Sequence, residues 1–152
     1  MSAPLTLPMD AADLIPQREP MRFVDRLVSY RDREAETEAL VAPDNPMLDA
    51  QGRLEGPALL ELLAQACAAS RGYEDAVGGG SVKVGFLVGS RRFRATGTAR
   101  AGDRLVIHTK TVGAFEGFSI VDGEIRRGGE TIATGTLKLW VADGPPAAEP
   151  GT

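Results

Sequence analysis

The sequence is poorest in the residues that build most redox, metal and nucleophilic sites: its 152 residues hold one cysteine and one histidine. Cys67 alone closes no intrachain disulfide, which fits a reducing compartment. Four-Cys and two-Cys-two-His zinc sites are excluded by count, and no metal is expected. A Ser-His-Asp triad or a Cys-His pair would have to be built on His108. Positive charge is short as well. The net charge is −4 and the sequence pI about 5.1, which is not the profile of a nucleic-acid binder. No run approaches the ~20 apolar residues that cross a membrane. The opening Met1–Leu14 lacks the basic segment and apolar stretch of a secretory signal, so a cytoplasmic protein is expected. Gly78-Gly79-Gly80-Ser81-Val82-Lys83 lacks the Gly-x4-Gly-Lys-Ser/Thr spacing of a phosphate-binding loop, so no nucleotide, and no other cofactor, is expected.

What is present is ordinary globular material: 43% hydrophobic, 25% charged and 5% aromatic. The length reads as one domain, able to bury roughly 68–70% of its unfolded surface without metal or disulfide support. A domain over residues 14–142 is expected, with an extension over 1–13 before it and a flexible Pro/Gly/Ala-rich tail over 143–152 after it. Charge is uneven along this domain. Arg31–Leu62 carries eight acids against three bases, whereas Arg91–Lys110 carries six bases against one acid. The basic segment is either a solvated strand face or the landing place of an acidic partner.

Leu14–Pro20, with its two prolines, reads as a turn or short helical entry, and Met21–Tyr30 as a strand. Arg31-Asp32-Arg33 is a tight polar link. Beyond it Ala35, Thr37, Ala39 and Val41 alternate with Glu34, Glu36 and Glu38, the pattern of a half-buried strand with its acids outward. A loop follows over Pro43–Gly56. Pro57 then fits the first position of a helix. Leu59, Leu60, Leu63, Ala64, Cys67 and Ala68 recur at helical spacing, and the opposite side (Ala58, Ala66, Ala69, Ser70) is small. A helix apolar all round is a buried one. It is expected to run to about Arg71, with Gly72 as its stop. Val82–Ala95, Arg104–Val112, Gly117–Arg127 and Glu130–Val141 read as long strands, the last two joined by a Gly128-Gly129 hairpin. Strands segregated from a single helix imply an α+β protein with an antiparallel sheet wrapped around that helix.

Four stretches in order resemble the β-hydroxyacyl-ACP dehydratases. Leu14-Ile15-Pro16-Gln17-Arg18-Glu19-Pro20-Met21-Arg22-Phe23-Val24-Asp25-Arg26-Leu27 resembles their opening. Leu54-Glu55-Gly56-Pro57-Ala58-Leu59-Leu60-Glu61-Leu62-Leu63-Ala64-Gln65-Ala66 is similar to their central helix, where a Gly, a Glu five on and a Gln four further recur. Gly85-Phe86-Leu87-Val88-Gly89 with Arg92-Phe93-Arg94, and Ala101-Gly102-Asp103-Arg104-Leu105, are similar to their third and fourth strands. The resemblance runs from Leu14 to Val141 and implies the hotdog fold, usually dimerised edge to edge. The chain departs from the pattern before the helix. Where the family has a Gly-His-Phe-Pro loop with its catalytic His, this sequence has the shorter Asn45–Leu54, which resembles the aryl-polyene subgroup. Gln17 stands where that subgroup keeps a His in a Pro-His motif.

Dehydrating a 3-hydroxyacyl thioester takes a base at C2, an acid for the leaving hydroxyl, and donors for the thioester oxygen. By resemblance Glu61 is the helix carboxyl, and leucines on both sides would raise its pKa by desolvation. Otherwise it is a helix Glu that finds a partner or reaches solvent. Gly56 either offers its N–H to the thioester oxygen or is a plain turn glycine. Gln65, one turn beyond Glu61, either orients that carboxyl or is a buried amide bonded to backbone. Gln17 cannot act as a base, but it can bond a substrate or hold the loop. Asp49 is either a substitute base or a turn Asp. His108 reads as a surface or dimer-edge residue and Cys67 as core. Arg91, Arg92 and Arg94 either steer an acidic acyl carrier protein bearing a phosphopantetheine-linked chain or protect a sheet edge; alternation puts Arg92 and Arg94 on one face. The assembly implied is a homodimer, or a heterodimer with another hotdog subunit. Three functions are open: a dehydratase, a non-catalytic hotdog subunit that has lost its base, and a hotdog thioesterase.

Overall fold

The computed structural model describes residues 5–80 and 85–141. Its elements in chain order are β1 (Met9–Asp10), a 3-10 turn (Ala11–Asp13), β2 (Arg26–Arg31), β3 (Glu34–Leu40), β4 (Arg53–Leu54), α1 (Gly56–Val77), β5 (Gly85–Ala95), β6 (Ala99–Arg100), β7 (Arg104–Phe115), β8 (Phe118–Arg127) and β9 (Glu130–Val141). Seven strands form one antiparallel sheet in the order β1-β2-β3-β7-β8-β9-β5, and β4 pairs with β6 apart from it. The sheet curls around α1, which packs on its inner face; this is the wrapped-helix α+β arrangement expected.

The alternation in β3 is borne out, with Ala35, Thr37, Ala39 and the following Val41 buried. Strands β7, β8 and β9 send Leu105, Ile107, Thr109, Val121, Ile125, Ala133 and Leu137 to the same inner face. The Gly128-Gly129 hairpin also stands: Arg127 pairs with Glu130, and Gly128 has φ 61°. Asp32 (φ 51°) and Arg33 (φ 65°) turn β2 into β3 with the left-handed backbone that matches sheet twist.

Several boundaries differ. Met21–Asp25 is not strand, because Phe23 and Val24 turn their N–H groups to the Gln65 side chain. β7 runs past Val112 to Phe115, since a bulge between Thr111 and Gly113 absorbs the glycine. The packed part begins before Leu14: Met9 and Asp10 pair with Leu27 and Arg26, and Ala11 is fully buried. The largest difference is in α1, which continues through Gly72 to Val77. Gly72 is not a stop. A methyl there would run into the Leu14 carbonyl, so this glycine lets the entry segment lie directly on the helix. The buried stripe is also rotated from expectation. Ala58, Leu62, Ala66, Ala69 and Ser70 are buried with Leu59 and Leu63, while Leu60, Ala64 and Ala68 are half-exposed. The expected strand residues Val82–Val84, the run Ser81–Lys83 and the tail 143–152 lie outside the described residues.

Candidate active site

Pro57 begins the site by what it lacks. The α1 N-terminus has no side-chain cap from Glu55; Pro57 has no N–H, and the N–H groups of Ala58 and Leu59 both donate to the Glu55 carbonyl. That leaves the Gly56 N–H, which no acceptor takes among the described residues. It stands at the positive end of a 22-residue helix, with the Phe93 ring 4.0 Å from where a Gly56 Cβ would be.

Glu61 follows in the second turn, half-buried between Leu60 and Leu62. Its Oε1 accepts a hydrogen bond from Gln65 Nε2 at 3.0 Å. Gln65 is 0% exposed, and all its bonding capacity is used. Its Nε2 also donates to the Met21 carbonyl at 2.7 Å, while its Oε1 accepts from the N–H of Phe23 at 2.7 Å and of Val24 at 3.4 Å. Two backbone donors on one end and a carbonyl on the other fix which way the amide points. Both readings of Gln65 therefore hold together: it is bonded to backbone, and by that bonding it presents an N–H to Glu61. The residues sequence reasoning missed are those of Met21–Val24, whose backbone anchors the amide. Their signal was the break in apolar alternation after Pro20. With Oε1 pinned, the second carboxyl oxygen of Glu61 has no partner among the described residues. Such a group holds or passes a proton at one defined atom.

The other candidates make no hydrogen bond or ion pair with Glu61 or Gln65 among the described residues. Asp49 is held by its own loop: its carboxylate accepts from the N–H of Gln51 and of Arg53, both at 2.9 Å, and from Arg53 Nε at 3.1 Å. The Arg53 N–H is the main cause that keeps its pKa below the usual aspartate value. Gln17 has a buried Oε1 with no hydrogen-bond partner among the described residues. His108 points from β7 to the outer face, its Nε2 3.4 Å from Glu34, while its neighbours Ile107 and Thr109 point inward to the helix. The single imidazole of the sequence is therefore on the opposite side of the sheet from α1. Cys67 is buried core, and burial pushes its thiol up to about 12.

Arg91, Arg92 and Arg94 lie exposed on the edge strand β5. Their expected alternation is wrong. A bulge lies between Arg91 and Arg94, with Arg92 left-handed at φ 54°, so Arg91 and Arg94 stand opposite Thr136 and Thr134 on the outer face. The bulge turns Phe93 inward against Gly135. Farther along the helix a cavity of about 120 Å³ lies between Cys67, Ser70 and Arg71 and the inner-face residues Thr109, Val121 and Leu139. Six residues separate Cys67 from Glu61, about 9 Å of helix rise.

Comparison with known proteins agrees with this architecture. The dehydratase heterocomplex ApeI:P from Xenorhabdus doucetiae superposes with a TM-score of 0.83 at 24% identity, over 89% of this chain and 92% of that one. A hypothetical thioesterase from Streptococcus pneumoniae solved with coenzyme A gives 0.60 at 19% identity, over 76% and 84%. The PaaI protein of E. coli gives 0.59 at 18%, over 75% and 80%. These likenesses show the hotdog fold. No curated protein matches the sequence. The family is settled by a sequence model, described as ApeP dehydratase, that matches residues 9–148: the chain belongs to the ApeP-like dehydratase family.

Proposed function

We propose that this chain is the carboxyl-bearing subunit of a two-chain dehydratase that removes water from (3R)-hydroxyacyl thioesters on an acyl carrier protein, in fatty-acid or polyene/polyketide-type biosynthesis. The carrying observation is the oriented Glu61–Gln65 pair on α1 in a member of a dehydratase family. Glu61, protonated on its free oxygen, gives that proton to the 3-hydroxyl as the C3–O bond breaks. The Gly56 N–H takes the charge that develops on the thioester oxygen as the C2 proton leaves. The product is the 2-enoyl thioester and water, and solvent restores both protonation states. Gln65 positions Glu61, and Gln17, whose buried Oε1 has no partner among the described residues, is kept as a substrate-binding candidate.

The base at C2 comes from another chain in this reading. Asp49 is occupied with its turn and His108 is on the far face, which supports a base from elsewhere. That the similar Xenorhabdus structure is a heterocomplex supports a different hotdog chain as partner. The acidic carrier is a second partner; Arg91, Arg92 and Arg94 are exposed cations available to it. A cytoplasmic setting suits such carriers, and among the described residues no helix is long and apolar enough to cross a membrane.

The test is intact-mass analysis of a 3-hydroxyacyl carrier protein incubated with this chain and with lysate fractions containing other hotdog subunits. Loss of one water with the acyl group retained supports the reading. Release of free acid would make the protein a thioesterase instead. No change with any fraction would leave a non-catalytic subunit.

A further inference from the structure

Strand β5 breaks its alternation at one place. Arg91 pairs with Thr136 and Arg94 with Thr134, so Arg92 and Phe93 together stand opposite the single residue Gly135. Arg92 takes up the extra residue in a left-handed backbone, φ 54°, which costs free energy for a residue with a Cβ. Bulges of this kind re-aim a side chain. The side chain re-aimed here is Phe93, which is half-buried and packs against the core.

The sheet has a notch to receive it. Gly123 of β8 and Gly135 of β9 are cross-strand partners. They lie on the inner face, between the buried Val121 and Ile125 on one strand and Ala133 and Leu137 on the other. Neither has a left-handed backbone, so what they supply is room. A methyl on Gly123 would fall 2.8 Å from Leu63 Cδ2, and one on Gly135 would fall 3.2 Å from Phe93 Cδ2. Leu63 follows Gly56 by seven residues and so shares its face of α1. Leu63 and Phe93 thus fill one notch, one from the helix and one from the strand. The Phe93 ring reaches further: its Cε1 lies 4.0 Å from where a Gly56 Cβ would be. One edge of the ring rests on the sheet and the other on the start of the helix.

The Gly56 N–H has no acceptor among the described residues and stands at the positive end of α1. Such a donor is worth more in a dry site than in water. We propose that Phe93 is a positioning residue for this N–H: its ring holds the first turn of α1 at a fixed distance from the sheet and closes one side of the Gly56 N–H to water. This rests on the dehydratase reading above and adds what keeps the donor in place and dry. Negative charge reaches the thioester oxygen only as the C2 proton leaves, so the ring acts on the transition state and not on substrate binding.

The test compares two variants. Phe93→Leu keeps carbon at the Cδ positions over Gly135 and loses the Cε carbons that face Gly56. Phe93→Met restores the reach. The two replacements are close in volume, so a role in packing alone would rank them together. Circular dichroism confirms folding. Amide exchange at Gly56 is followed by NMR in the full chain, with the Leu63 amide as reference for global opening. Water loss from a 3-hydroxyacyl carrier protein by the assembled enzyme gives kcat and KM.

In Phe93→Leu, exchange at Gly56 should quicken by on the order of tenfold with Leu63 unchanged. The kcat should fall by a similar factor, short of the 10²–10³ that removing a whole oxyanion-hole donor costs, with KM unchanged. Phe93→Met should return both toward wild type. Unchanged exchange at Gly56 in Phe93→Leu would overturn the proposal. So would a raised KM with kcat held, which makes the ring a substrate contact, and so would equal losses in the two variants, which make it packing. Quickened exchange in Phe93→Leu, with no water loss by the wild-type assembly, would uphold the sheltered N–H while the dehydratase reading failed.

Discussion

Gln65 shows how much one buried amide settles. It joins the entry segment to the helix and aims an N–H at the Glu61 carboxyl, the proposed acid. Gln65→Leu should therefore act twice. It strands the Met21 carbonyl and the Phe23 N–H in the interior, costing about 2–4 kcal/mol of stability in chemical denaturation. It should also lower kcat beyond what the unfolded fraction accounts for, because Glu61 loses its fixed geometry. Asp49 makes the contrast. Its carboxylate serves three donors of its own turn, so Asp49→Asn should leave turnover within about twofold, against the 10²-fold or more that removing a catalytic acid or base costs. The pH effect has a definite sign. Folding lowers the Asp49 pKa, so its contribution is present above the ordinary aspartate range and disappears as pH falls through the lowered value. Stability measured against pH should lose less on the acid side in Asp49→Asn than in wild type. Glu61 and Gln65 were legible as a pair from their four-residue spacing. The backbone groups that lock them were not, since they come from forty residues away in sequence.

Most of the element pattern was legible because it rests on local rules. The alternation of β3, the Gly-Gly hairpin and the proline that opens α1 all hold in the structure. The failures share a cause: a residue read for its local meaning was placed by a distant one. Gly72 looked like a helix stop, yet the helix passes through it because Leu14 lies against its Cα. Gly72→Ala should push the entry segment off α1 and destabilise the fold by about 1–3 kcal/mol, measured as a lowered denaturation midpoint. A true helix terminator replaced by Ala would do the reverse and lengthen the helix. Arg92 is the second case. A bulge in β5 overrides simple alternation and turns Phe93 toward Gly135 and Gly56, so the arginine pair on the outer face is Arg91 with Arg94.

At the scale of the molecule, the fold collects Glu61, the Gln65 amide bonded to it and the Gly56 N–H, which no described residue accepts from, on one helix, and puts the single imidazole on the other side of the sheet. Composition already pointed to this division, since one histidine leaves little to build a base from. What no single sequence discloses is the second chain that the proposed mechanism calls for, because its residues are not in it. The chain alone should accordingly turn over 3-hydroxyacyl thioesters far more slowly than the same chain with a base-bearing hotdog subunit. The difference expected is the 10²- to 10⁴-fold typical of a positioned base. The most direct test of the account is the rate of water loss from a 3-hydroxyacyl carrier protein by the assembled enzyme, wild type against Glu61→Gln. The account predicts a fall of at least about 10²-fold, with circular dichroism and assembly unchanged. A variant that keeps its rate would show that Glu61 is a helix residue bonded to Gln65 and nothing more.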